Sequence, residues 1–208
     1  MLIVGDGVAA RMAEAIARAR SDDDVVSVIE LAPQDIGGFD TSALGPATSE
    51  TAIFPAIGPS ALNFARFDLW AKLKLAGFRI GTLIHPAARC DASARFAEGV
   101  MVCAGATVDA GAYVGKGTII GSGSLIGIDA SVGAWCWLST GVKIGPQASV
   151  GSHVVLGSGM VLADRAKVGD TCEIDTGTVC RGEYPTGTFI SPEFPLPGAH
   201  LMRASREA

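Results

Sequence analysis

Gly5-Asp6-Gly7-Val8-Ala9-Ala10 follows a short apolar run, Leu2 to Val4, and leads into a helix-forming stretch that reaches Arg20. This is a G-x-G-x-x-A loop in a strand-to-helix setting, where bare N–H groups can hold a phosphate. Glu30 ends a second apolar run, Val25 to Ile29, about where an acid would bind the hydroxyls of a ribose. Gly5, Gly7 and Glu30 are therefore the candidate substrate residues, while the same loop can also serve as a tight turn. The histidines are His85, His153 and His200. The cysteines Cys90, Cys103, Cys136, Cys172 and Cys180 contain no CxxC pair, so neither a disulfide framework nor a metal site is indicated. They read as reduced, mostly buried thiols of a cytoplasmic protein.

The elements that must position these groups fall into two kinds. In residues 1–82, Ile53 to Ile57 reads as a further strand. Ser60 is placed to cap a helix through Leu62, Phe67, Trp70 and Leu73, with Gly77 as its stop. This predicts a small Rossmann-like α/β domain. From Ile84 onward the sequence repeats every six residues. Seventeen positions at that spacing, Ile84 to Cys180, include fourteen Ile, Val or Leu. Four residues after each stands a second, small residue, such as Ala88, Ala106, Ser124, Ala130 or Ala148, with Met160 the one large exception. One short strand and one tight corner per hexad gives three faces and a triangular coil, with the aliphatics stacked inside at about 4.8 Å. A parallel β-helix is predicted over residues 83–185, with a C-terminal tail at 186–208.

The bulk composition agrees. A net charge of -5 with 18% charged residues provides no basic field for nucleic acid. The N-terminus has no basic start or long apolar core of a leader, and no apolar run of about 18 residues suggests membrane insertion.

The glycine-loop domain, the segment Phe78-Arg79-Ile80-Gly81-Thr82-Leu83-Ile84-His85-Pro86 and the unbroken hexads together resemble the bacterial sugar O-/N-acyltransferases of the hexapeptide-repeat class. This group contains the sialic acid O-acetyltransferases and the UDP-4-amino-sugar N-acetyltransferases. The resemblance spans residue 1 to about residue 185. It implies a left-handed β-helix, a homotrimer and acetyl-CoA or another acyl-CoA as co-substrate between neighbouring β-helices. It also implies a nucleotide-linked sugar on the N-terminal domain and a role in surface polysaccharide synthesis.

The resemblance also marks where this chain departs. The family's catalytic histidine falls at Ile128, leaving the following carboxylate, Asp129, as the candidate catalytic residue. A second histidine near the acyl group falls at Trp137, and a glycine that donates its N–H to the thioester carbonyl falls at Pro146. Trp137 and Pro146 thus mark the acyl-CoA region, and proline has no N–H to give. The family's Gly-Gly-His stretch is Val8-Ala9-Ala10 here. His153 is expected at an outward corner, about one coil and one face from position 128. There it either has no role or approaches a ligand across a trimer interface. Trp135 and Trp137 are expected to point outward, either as trimer packing or as a stacking surface. Two functions remain open: an acyltransferase with altered chemistry, or a catalytically inactive trimeric binding or scaffold relative.

Overall fold

The computed structural model describes residues 1–20, 26–47, 51–191 and 200–201. Val25, at the expected start of the second strand, lies outside them. Four parallel strands form the first sheet: β1 (Leu2–Gly5), β2 (Ser27–Glu30), β3 (Ala52–Ala56) and β4 (Arg79–Ile80), in the order β2-β1-β3-β4. Alternate side chains of a strand face opposite sides. Ile3 and Phe54 therefore meet α1 (Gly7–Arg20), while Val4 and Ile53 meet α2 (Phe64–Leu75). The buried side of α1 is Ala9, Ala10, Ala13, Ile16 and Ala17. These small side chains let α1 lie close to two neighbours at once, because the same apolar cluster contains Leu83, Met101 and Ile119 of the β-helix.

The start of α2 differs from the sequence expectation. Ser60 opens a 3-10 turn, Ser60–Asn63, and α2 begins only at Phe64. Ala61, Leu62 and Asn63 have φ of 48°, 51° and 67°, so the chain is left-handed where the expected helix would be right-handed. Pro59 stands immediately before this turn, and the Ser60 side chain makes no cap.

From Leu83 the chain winds through three parallel sheets in rotation. The first begins at Leu83–Ile84, the second at Arg89–Cys90 and the third at Arg95–Phe96. Ile120 pairs with Leu138 and Ile126 with Ile144, each eighteen residues on, which is one coil. The aliphatic column is buried throughout the middle coils, at Val102, Ile120, Leu138 and Leu156 in the first sheet. The small column admits two hydroxyls without leaving them unpaired: Thr118 donates to the Gly133 carbonyl at 2.8 Å and Ser124 to that of Ser139 at 3.0 Å. An α/β domain followed by a parallel β-helix is the arrangement expected from the sequence. The ladder does not stop at residue 185, however. Glu183–Tyr184 pairs with Lys167–Val168, and Phe189–Ile190 with Glu173–Ile174. The hexad shortens after Cys180, which hides these last strands from a strict six-residue count. His200–Leu201 then adds an antiparallel strand to Thr188–Phe189.

Candidate active site

At the C-terminal ends of β1 and β2 a cavity of about 510 Å³ is lined by Asp6, Gly7, Glu30, Leu31 and Ala32. The strand-end position is where open α/β sheets receive ligands. Gly7 opens α1 with φ +38°, and a Cβ there would meet nothing within 4 Å, so the backbone is bare at this point. Gly5 has another reason to be glycine: a Cβ on it would sit 2.0 Å from the Ala56 carbonyl oxygen of β3. Asp6 accepts a hydrogen bond from the Gly58 N–H at 3.0 Å, which ties the cavity to the segment leaving β3. Gly7 and Glu30 thus share a cavity, and Gly5 supports it through strand packing.

A second constellation lies along the corner between the second and third sheets of the β-helix. Ile128 projects there with 51% of its surface exposed. Asp129 follows in the left-handed region, φ 54°, and its carboxylate folds back over Gly111 of the preceding coil. Pro146 lies one coil further, and the N–H of its neighbour Gln147 bonds to the Ile128 carbonyl at 2.8 Å. Beside Pro146 a groove of about 350 Å³ runs over the second sheet between Lys143, Val161, Asp164, Val179 and Arg181. Lys143 and Arg181 with the apolar Leu125, Val161 and Val179 fit a ligand with phosphates and a long, mainly uncharged arm, such as an acyl-CoA, with Asp164 the one carboxylate in the lining. Within one chain, Trp137 is not at this corner. It belongs to the first sheet, opposite Ile119 and Val155, and packs against the cluster formed with α1.

Of the outward tryptophans, Trp135 is covered by the chain's own first domain, while Trp137 is half-buried against it. Trp135 is buried and meets Phe67 and Trp70 of α2 edge-on, each at 5.3 Å between ring centroids. Gly117, one coil earlier, is glycine because a Cβ would stand 2.1 Å from the Trp135 ring. Beneath this layer lies Arg66, 1% exposed. Its guanidinium donates to three carbonyls: Ile57 at 2.9 Å, Gly117 at 3.0 Å and Cys136 at 3.2 Å. It also lies 5.8 Å from the centroid of the Trp137 ring. No carboxylate among the described residues pairs with it. Burial draws its pKa down to about 9, so it is still charged at neutral pH. Sequence reasoning missed Arg66, although it falls on the stripe of Leu69 and Leu73, an odd place for a cation.

His153 also serves this contact. Its ring stacks on Phe64 with centroids 4.0 Å apart, and Nδ1 lies 3.2 Å from the Leu62 carbonyl. It is held by the α2 region of the same chain. Desolvation, the main cause, lowers its pKa below 6.5; the Leu62 carbonyl opposes this, and Arg66 adds to it. The unfolded chain therefore binds more protons around that pH, and stability is lost as pH falls below about 6.5 through the folded pKa. Replacing His153 with glutamine is expected to flatten the fall in Tm between about pH 7 and pH 5. Thermal melts across that range check it, and an unchanged slope would remove His153 as the cause.

A solved structure with the same arrangement is a histidine-to-alanine variant of the GDP-perosamine N-acetyl transferase from Caulobacter crescentus, in complex with CoA and GDP-perosamine. It matches with a TM-score of 0.77 and 25% identity, over 90% of this chain and 91% of that chain. The chain is a structural match to the hexapeptide-repeat sugar N-acetyltransferases. The acetyltransferase domain of PglB from Neisseria gonorrhoeae FA1090, in complex with acetyl coenzyme A, shares the fold of these N-acetyltransferases. Its TM-score is 0.74 at 20% identity, over 97% of this chain and 98% of that chain. No family model and no curated protein matches the sequence. Among the described residues no helix is long and apolar enough to cross a membrane, and no cluster of His, Cys, Asp and Glu could hold a metal ion.

Proposed function

We propose that this protein is an acyl-CoA-dependent N-acyltransferase acting on a nucleotide-linked amino sugar of surface polysaccharide synthesis, with altered chemistry at the transfer site. The observation that carries this reading is the match to the GDP-perosamine enzyme over about nine-tenths of both chains, 90% and 91%. The strand-end cavity at Gly7 and Glu30 supports a nucleotide end, and the groove beside Pro146 supports the acyl donor. Lys143 and Arg181 would hold the phosphates of acetyl-CoA or another acyl-CoA, which when bound supplies the activated acyl group. Ile128 accepts no proton, so the sugar amine attacks the thioester carbonyl first, and the C–S bond breaks to release CoA as its thiolate. The proton left on nitrogen passes afterwards to a carboxylate, Asp129 being the nearest in chain order, or to the departing thiolate.

The exposure of Ile128 and the absence of an N–H at Pro146 favour one alternative, a trimeric binding or scaffold relative without turnover. Both readings expect a homotrimer. With the first sheet covered by α1, the apolar positions left on the second face are Leu125, Val161 and Val179, and a threefold arrangement buries all three copies equally. Sedimentation at micromolar concentration is expected to show a trimer, and a monomer would overturn both. Calorimetric titration with GDP-perosamine and UDP-linked 4-amino sugars is expected to show binding no tighter than micromolar, because Val8 to Ala10 departs from the family's loop. Sub-micromolar binding would show that those departures do not matter.

A further inference from the structure

Asp6 stands where α1 begins. Its carbonyl accepts from the Ala10 N–H at 3.0 Å, the bond that opens the helix, so Asp6 is the N-cap. An aspartate there ordinarily turns its carboxylate onto the N–H groups of the first turn, which lack helical partners and carry the positive end of the helix dipole. Here the one hydrogen bond of that carboxylate among the described residues runs elsewhere, to the Gly58 N–H at 3.0 Å. The side chain forgoes its local partners for one beyond the end of β3.

What holds it there lies on the far side of a single peptide group. The Ile57–Gly58 peptide gives its N–H to Asp6 and its carbonyl to the buried guanidinium of Arg66, at 2.9 Å. An anion and a cation grip opposite ends of the same dipole, and each polarises it toward the other. Burial lowers the Arg66 pKa, and the Asp6 carboxylate is one of the two groups that oppose this. Arg66 is fixed in turn by the carbonyls of Gly117 and Cys136 in two coils of the β-helix. A continuous relay therefore runs from Asp6 through one peptide to Arg66 and the β-helix, all within this chain.

The consequence falls on the strand-end cavity. Asp6 and Gly7 both line it, so the start of α1 opens into it. A carboxylate capping that helix would take the place of a phosphate oxygen and repel the others. Resting on the nucleotide reading proposed above, we infer that Arg66 is a positioning residue for the nucleotide: it draws Asp6 onto the Gly58 N–H and so leaves the start of α1 free for a phosphate. Without the cation, Asp6 returns to its local preference and caps α1 itself.

Calorimetry with GDP as the probe, beside thermal melts, tests this on four variants. Arg66→Met is expected to bind GDP at least about tenfold more weakly than the wild type, the loss of one charge-assisted hydrogen bond. Adding Asp6→Ala should return the affinity to the wild-type level or beyond, while the Tm stays as low as in Arg66→Met. A purely structural Arg66 would not separate affinity from Tm in this way. Arg66→Lys keeps the charge and should hold GDP within about threefold of the wild type despite a lower Tm. Asp6→Ala alone removes a repelling charge and should bind GDP more tightly. A double variant as weak as Arg66→Met overturns the inference and leaves the proposed function standing, as does a methionine variant equal to the wild type or a lysine variant as weak as the methionine one. Weaker binding by Asp6→Ala, which needs no change at Arg66, overturns it too, because Asp6 would then be a ligand group. A wild type silent to GDP, GDP-perosamine and UDP-linked 4-amino sugars removes the proposed function, and this inference with it.

Discussion

Replacing Arg66 with methionine is expected to lower the unfolding free energy by about 3–5 kcal/mol, near the top of the range for a single substitution. The reason lies in what Arg66 leaves behind. Its three acceptors, the carbonyls of Ile57, Gly117 and Cys136, come from the end of β3 and from two successive coils of the β-helix. A buried carbonyl deprived of its donor costs about 1–3 kcal/mol. Some of that loss is offset, because a cation without a carboxylate partner is itself expensive to bury, as the pKa drawn down to about 9 records. Methionine keeps most of the apolar stem packing and none of the donors. In a chain of this size the expected loss is roughly 10 °C in Tm. Lysine should recover only part of it, since one ammonium cannot reach three carbonyls fixed by the fork of a guanidinium. The two domains share this contact, so proteolysis between Ile80 and Leu83 should quicken in the methionine variant. A loss under about 1 kcal/mol would mean that the apolar cluster of α1 with Leu83, Met101 and Ile119 holds the domains by itself.

Arg66 also shows where sequence reasoning reaches and where it stops. The six-residue column from Ile84 to Cys180 carries its own proof, because each aliphatic has a partner eighteen residues away and a period is visible without a structure. Direction was equally legible: Trp135 and Trp137 do point away from the coil axis. What covers them was not, because a period says which way a side chain points and nothing about a separate domain folding back on it. Phe64, Phe67 and Trp70 held that information at helical spacing, but the helix was expected to begin at Ser60, and the left-handed turn hid its true start. The site divided in the same way. Position 128 and position 146 follow from the register and stand on one corner, whereas Trp137, nine residues from Ile128, is carried to the first sheet beneath Arg66. Gly5 looked like a ligand residue by its loop, and its close approach to Ala56 became visible only once β1 and β3 were paired.

The separation of Trp137 from the corner changes what should restore fast chemistry. Ile128→His combined with Pro146→Gly is expected to raise N-acyl transfer by about a hundredfold or more over a slow wild type. A positioned base is worth about 10²–10⁴-fold, and a backbone donor for the developing oxyanion about 10²–10³-fold. The two do not simply add. Both positions can accept the change: Ile128 is half exposed, and the Pro146 carbonyl, which receives the Arg165 N–H at 3.0 Å, remains in the glycine variant. Adding Trp137→His should reduce the gain, because it removes an indole that packs against Arg66 and the α1 cluster. The wild type itself is expected to show no significant O-acyl transfer, since a carboxylate such as Asp129 is a poor base toward an alcohol. An amine can attack before losing its proton, so slow N-acyl transfer is expected. Release of CoA thiol from acetyl-CoA with GDP-perosamine as acceptor measures all of these. Wild-type turnover of about one per second, an ordinary enzyme rate, would show that another group serves as the base and that Ile128 does not stand at the reacting centre.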